Sequence, residues 1–170
     1  MPDLLNIIDT GVMEAIMTID VIDAKILEVL QENARISFKE LSQKINLSLS
    51  AVSDRLKKME SSGLISQYTA ILDPSLLGRE LKAYMMINVD SSGDIEELSK
   101  VISESDEVLE AYFVAGDFDY ILKIATKNTN TLADLVNRIK SVKTVQRTET
   151  TITLTELKQK FSVPPIPNKF

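Results

Sequence analysis

Apolar residues recur at three- and four-residue spacing from Ile19, with Ile19, Ile22, Ile26, Leu27 and Leu30 on one side of a helical wheel. Asp20 stands in the N-cap position and Asp23 follows three residues on, so the pattern predicts a first helix over about residues 20–33. Ser37-Phe-Lys-Glu40 is a capping-box pattern that opens a second helix, with Phe38, Leu41 and Ile45 as its apolar stripe and an end near Asn46. Ser48 then caps a third helix over about 48–62, which turns Val52, Leu56 and Met59 to one face and places Gly63 at the C-terminal cap. Three short helices, the last two joined by a turn of three or four residues, predict a helix-turn-helix. Leu64-Ile65 and Tyr68 to Leu72 read as two short strands, the wing of a winged helix.

After the turn-rich Asp73-Pro-Ser-Leu-Leu-Gly78 the period changes to two. Leu81, Ala83, Met85, Ile87 and Val89 form one apolar face of a strand whose other face is Lys82, Tyr84, Met86 and Asn88. Asp94 starts a helix with Ile95, Leu98, Val101 and Ile102 on its buried side. Val108 to Ala115 reads as a strand, Gly116-Asp-Phe-Asp119 as a turn, and Tyr120 to Thr126 as the next strand. Thr131 caps a further helix bearing Leu132, Leu135, Val136 and Ile139, and Val145 to Leu154 is the last strand. The duplication, residues 81–115 and 119–154, predicts a ferredoxin-like βαββαβ domain, and the fold class is α+β. Its helices cover one sheet face only, so Tyr84 and Met86 on the other call for a partner subunit.

Composition narrows the chemistry. The 170 residues include no cysteine and no histidine, which removes disulfides, thiolate metal sites, the cysteine nucleophile and the Ser-His-Asp triad. The five glycines are too scattered for a phosphate-cradling loop, and nothing in the chain calls for a metal or a cofactor. No apolar run is long enough to span a bilayer and the N-terminus lacks a basic leader, so no membrane role is expected and the cytoplasm is the expected location. The net charge of −6 is unevenly distributed: residues 35–58 hold six bases (Arg35, Lys39, Lys44, Arg55, Lys57, Lys58) against Glu40 and Asp54.

That basic stretch includes the third helix, whose outward face shows Ser50, Ser53, Asp54, Lys57, Lys58 and Ser61. Short hydroxyls permit close approach to base edges and lysines reach phosphates, so the helix suits the major groove; a solvated face in a plain three-helix bundle would also explain it. Residues 1–18 place Leu4, Ile8, Val12 and Ile16 four apart, which predicts an extra amphipathic helix, and Pro164-Pro-Ile-Pro167 predicts an extended, mobile tail.

Ile19-Asp-Val-Ile-Asp-Ala-Lys-Ile-Leu27, Asn33-Ala-Arg-Ile-Ser37, Leu47-Ser-Leu-Ser50, Arg55-Leu-Lys-Lys-Met-Glu60, Gly63-Leu-Ile65 and Val114-Ala-Gly-Asp-Phe-Asp-Tyr120 together resemble the Lrp/AsnC (feast/famine) transcription regulators over about residues 19–158. The resemblance implies a DNA-binding winged helix joined to an effector and oligomerisation domain, acting on double-stranded DNA as homodimers that assemble further, often to octamers. It also implies a small amino-acid effector, bound at clefts between dimers by a loop that falls on Gly116 to Asp119. A glycine turn offers backbone N–H groups to a carboxylate, and Asp119 first, then Asp117, offers an acceptor to the ammonium. Thr148, Thr150 and Thr153 would add hydroxyls to the same cleft. Hairpin-turn chemistry and ordinary β propensity are the competing explanations for these aspartates and threonines. Arg55 matches a family arginine of the recognition helix; it serves either a DNA phosphate or an acid such as Glu60 or Asp54.

The expected organisation is an extension (1–18), a winged helix-turn-helix (19–73), a linker (74–80), a ferredoxin-like effector domain (81–158) and a tail (159–170). The expected DNA-binding set is Ser48, Ser50, Ser53, Asp54, Arg55, Lys57 and Lys58, and the effector set is Gly116, Asp117, Asp119, Thr148, Thr150 and Thr153. Two other readings share this architecture: an amino-acid sensor acting on a protein partner without DNA, and a decarboxylase-like enzyme. The family's enzymes, as the resemblance has it, rely on histidines, and this chain has none.

Overall fold

The structure, a computed structural model, describes residues 18–90 and 95–167; the helix expected from Leu4 to Ile16 and the start expected at Asp94 lie outside them. Two compact units divide the chain, one reaching to Ala70 and taking back the segment from Lys158, the other spanning Ile71–Leu157.

The first unit contains helices α1 (Val21–Glu32), α2 (Phe38–Ile45) and α3 (Leu49–Ser61). Asp20 and Asp23 close a capping box on α1, Ser37 and Glu40 close one on α2, and Ser48 caps α3 through the Ala51 N–H. The turn between α2 and α3 is made by Asn46 at φ 59°, a left-handed conformation that asparagine tolerates better than most residues. Ile26, Leu41, Val52, Leu56 and Met59 fill the core between the helices. Phe38, expected in the buried stripe, is 55% exposed: it is the first residue of α2, and Leu41 and Ile45 one turn apart carry the packing instead.

Residues 64–72, expected as the two strands of the wing, carry no strand. Gly63, at φ 76°, closes α3 by donating to the Glu60 carbonyl, and the Ile65 N–H donates to the Met59 carbonyl, so this backbone completes a helix end rather than a ladder. Between the two expected strands stands Ser66-Gln67, which lacks the left-handed turn residues of a tight hairpin. The expected mobile tail is tied at its start, where the Gln31 amide donates to the Val163 carbonyl (2.7 Å) and to Ser162 Oγ (3.2 Å).

The second unit holds β1 (Leu81–Val89), α4 (Ile95–Ser103), β2 (Val108–Phe113), β3 (Tyr120–Thr126), α5 (Thr129–Lys140) and β4 (Val145–Ile152), the expected βαββαβ order. The sheet is antiparallel with strand order β2-β3-β1-β4. Alternation works as read: Ala83, Met85 and Ile87 are buried with Leu98, Leu122, Ile124, Leu135 and Ile139 in one core. Ile95, expected in that core, is exposed at the start of α4. The cap of α5 is Asn128 rather than Thr131; its side chain accepts from the Asn130 and Thr131 N–H groups, and Thr131 supplies the return bond of the box. On the other sheet face Tyr84 and Tyr112 are exposed, and the charges near them pair within the chain, Lys123 with Glu110 at 2.7 Å and Arg147 with Glu149 at 3.2 Å.

Candidate nucleic-acid interface and ligand loop

The hydrophobic face of α3 locks the helix onto α1 and α2, which leaves Ser50, Asp54, Lys57 and Lys58 exposed and Ser53 half-buried on the other side. Among the described residues neither lysine pairs with a carboxylate. Ser48 is committed to the helix: its Oγ accepts from the Ala51 N–H at 3.2 Å and lies 3.1 Å from Ser50 Oγ.

Arg55, also in the expected DNA set, is paired with two acids of its own chain. Its Nη1 donates to Asp20 Oδ2 (2.7 Å) and to Asp23 Oδ1 (2.6 Å), the two acids that cap α1, and its side chain is 31% exposed. Neither Glu60 nor Asp54, the acids nearest in sequence, is its partner. The guanidinium therefore braces α3 against the N-terminus of α1, and the two carboxylates hold it charged above the ordinary arginine range. The Asp20 carboxyl is held below its ordinary range, first by the Asp23 N–H and further by Arg55. Sequence spacing alone does not disclose this pairing, because Asp20 and Arg55 are 35 residues apart. At the far end of α3 the Tyr68 hydroxyl donates to Glu60 Oε1 (2.9 Å); burial, with that bond, pushes its pKa up to about 12.

The second candidate region is the turn from Val114 to Asp119. Its backbone is pinned to β1 by the Asp119 N–H donating to the Ile87 carbonyl (3.0 Å), and it closes on itself where the Val114 N–H donates to the Asp119 carbonyl (2.9 Å). Asp119 Oδ2 accepts from the Val89 N–H at 2.8 Å, and the Asn88 amide donates to the Asp117 carbonyl at 2.8 Å. Arg147 lies 5.6 Å from the centre of the Phe118 ring, within cation–π range. The sequence reading missed Asn88 and Arg147, although Asn88 is a polar break beside the apolar face of β1. The chain brings Thr148 near the turn, opposite Ile87 on the helix-facing side, and Thr150 one pleat farther off, opposite Met85. It does not bring Thr153, which lies five residues along from Thr148, about 17 Å by strand rise.

At the opposite end of the sheet is a polar cleft of about 470 Å³, lined by Arg79, Glu107, Lys127, Thr131 and Arg138 among others. Its charges are largely spent on one another: Arg138 pairs with Glu107 at 2.9 Å and Arg79 donates to the Asp106 carbonyl. Among the described residues no cluster of acidic side chains could hold a metal ion, and no helix is long and apolar enough to cross a membrane.

A winged helix-turn-helix DNA-binding family matches residues 19–66, and the Lrp/AsnC ligand binding domain matches residues 82–163. The chain is 33% identical to the HTH-type transcriptional regulator FL11 of Pyrococcus horikoshii over 146 residues, which are 86% of this chain and 96% of that protein. It is similar to a Neisseria meningitidis transcriptional regulator solved in complex with L-Met, with a TM-score of 0.82 and 33% identity over 86% of this chain and 97% of that one. It is also similar to Escherichia coli AsnC, with a TM-score of 0.79 and 29% identity over 88% of this chain and all of that one.

Proposed function

Because the chain belongs to the Lrp/AsnC family of transcriptional regulators, we propose that it binds double-stranded DNA through the outward face of α3 and adjusts its assembly or DNA affinity to a small amino acid held at the Gly116–Asp119 turn. The observation that carries the reading is the row Ser50, Asp54, Lys57 and Lys58, exposed on a helix that Ser48 caps and Arg55 braces from behind. Ser50 and Ser53 serve base edges, Asp54 accepts from a cytosine amino group, and Lys57 and Lys58 neutralise phosphates. Arg55 keeps the face in place and leaves the phosphates to the lysines.

For the effector, Asp117 supplies an exposed carboxylate to the ammonium group, and Asp119 contributes the oxygen that Val89 does not occupy. The L-Met bound by the Neisseria relative supports the amino-acid class. Thr148 and Thr150 serve this loop from the same chain, and Thr153 takes part only in a cleft shared between copies. Homodimers that assemble further, to octamers, follow from two supports: Tyr84 and Tyr112 stand exposed on the uncovered sheet face, and one small basic face neutralises few phosphates, so several copies multiply the contacts. Residues 19–73 serve DNA, 74–80 link, 81–158 bind effector and assemble, and 159–170 form a tail. The protein works in the cytoplasm, by binding rather than catalysis.

Gel retardation on genomic fragments across a salt series, with sizing by light scattering in the presence of each of the twenty amino acids, tests this. Retained fragments with a steep salt dependence, and a mass that shifts with one amino acid, are expected. Absence of any retained fragment overturns the DNA reading, and a mass indifferent to all twenty overturns the effector reading.

A further inference from the structure

A free amino acid carries an ammonium and a carboxylate on one carbon, and the side chains of Asp117 and Asp119 answer only the first. The cation that stands against this turn is Arg147, whose guanidinium carbon lies 5.6 Å from the centre of the Phe118 ring. It projects from β4 on the open sheet face, directly opposite Asn88, and Asn88 holds the Asp117 carbonyl at 2.8 Å. Strand register and ring contact therefore both bring this side chain to the turn. An aromatic face attracts the guanidinium charge without consuming its N–H donors, which stay available to a planar, two-oxygen acceptor. One of those donors is given to Glu149, Nη2 to Oε2 at 3.2 Å, in a pair whose side chains are both exposed, an arrangement weak enough to yield to a ligand. The turn also has room: a side-chain carbon added at Gly116 would meet no described atom beyond its chain neighbours within 4 Å.

We propose that Arg147 is a specificity-determining residue of the effector site: its guanidinium takes the α-carboxylate of the ligand while Asp117 and Asp119 take the ammonium, and the Phe118 ring holds the guanidinium in reach. The inference rests on the effector reading above and deepens it, because it makes a free carboxylate a condition of binding. A ligand that keeps the ammonium and side chain but carries an amide in place of the carboxylate loses the charge-assisted hydrogen bonds to Arg147.

The test titrates the full-length protein by calorimetry with each of the twenty amino acids and, for any that binds, with its primary amide, at about pH 6.5 where the amino group stays charged. The amide is expected to bind the wild-type protein at least about ten-fold more weakly than the amino acid. In Arg147→Met, which keeps an apolar stem and removes the charge, the amino acid is expected to weaken by about the same factor and the amide to stay unchanged, so the discrimination disappears. Phe118→Leu is expected to weaken the amino acid roughly three-fold and to spare the amide. Equal binding of amino acid and amide by the wild-type protein overturns the proposal, whatever the variants do. So does an Arg147→Met protein that still discriminates, or one that loses both ligands alike, since a merely structural arginine would affect both. Arg147→Lys, which keeps the charge without the planar fork, is expected to retain part of the discrimination and serves if Arg147→Met folds poorly. A protein that binds none of the twenty overturns the effector reading and this inference with it, a result distinct from binding that ignores the carboxylate.

Discussion

The face of α3 and the turn at Gly116–Asp119 are both short, polar and close to a hydrophobic core, yet they spend their polar groups in opposite ways. On α3 the backbone is satisfied by the helix itself, and the outward lysines find no acid among the described residues. In the turn the hydrogen-bonding groups are taken up inside the chain: the Asp119 N–H by Ile87, one Asp119 oxygen by Val89, and the Asp117 carbonyl by Asn88. A regular helix thus presents a finished surface within one chain. An irregular turn must first be held, and it offers a ligand only what the holding leaves over.

The strongest way to break this contrast is to remove the brace. Arg55→Met leaves Asp23, which is nearly buried, without its cation and is expected to destabilise the helical unit by about 2 kcal/mol, with the sheet unit unchanged. Denaturant unfolding followed separately in the two units checks it, and equal destabilisation of both would refute the assignment. The same network sets a pH dependence. The Asp20 carboxyl is lower in the folded state than its ordinary 3.8, so its contribution is present above that value and is lost as pH falls below it. Melting of the helical unit is therefore expected to drop on acidification below about pH 4, and less so in Arg55→Met.

Next in size, Lys57→Ala with Lys58→Ala is expected to weaken DNA binding about ten-fold at moderate salt and to reduce the salt slope by roughly two per copy, with assembly intact. Unchanged slopes would mean that another face meets the phosphates. Asp119→Ala sharpens the other half of the comparison. Because its carboxylate also accepts the Val89 N–H, the variant is expected to lose about 1 kcal/mol of stability as well as effector response. Full stability with lost response would show that the carboxylate serves the ligand alone. Smallest is Asn88→Ala, expected to weaken effector binding about three-fold by calorimetry through loss of one hydrogen bond, with DNA binding in the absence of effector unaltered.

Local rules carry far in this chain. Asp20, Ser37 and Ser48 cap the helices where the sequence places them, and the alternation from Leu81 to Val89 yields the buried face of β1. Failures occur where the outcome depends on partners distant in sequence or on competition between neighbours. Arg55 had acids nearby and chose two from another helix, because the fold brings the N-terminus of α1 against α3. Asn128 displaced Thr131 as a cap, because two good capping residues stood three apart and asparagine is the stronger. The first expected strand of the wing gives way to a helix end, where Ile65 spends its N–H on Met59. The pinning of the turn by Asn88 was hidden for a related reason, since strand register decides which residue of β1 lies beside Asp117.

The placement of the aromatic rings makes the protein its own reporter. There is no tryptophan, and three of the four tyrosines, Tyr84, Tyr112 and Tyr120, stand on the sheet, with Tyr120 tilted against Phe113 at 5.2 Å. The fourth, Tyr68, lies beyond the last helix of the other unit and is hydrogen-bonded to a carboxylate. Intrinsic emission and near-ultraviolet dichroism therefore follow the sheet, while the far-ultraviolet helical signal is shared between both units. Without any label, one sample read at two wavelengths can show whether the two halves melt together or apart.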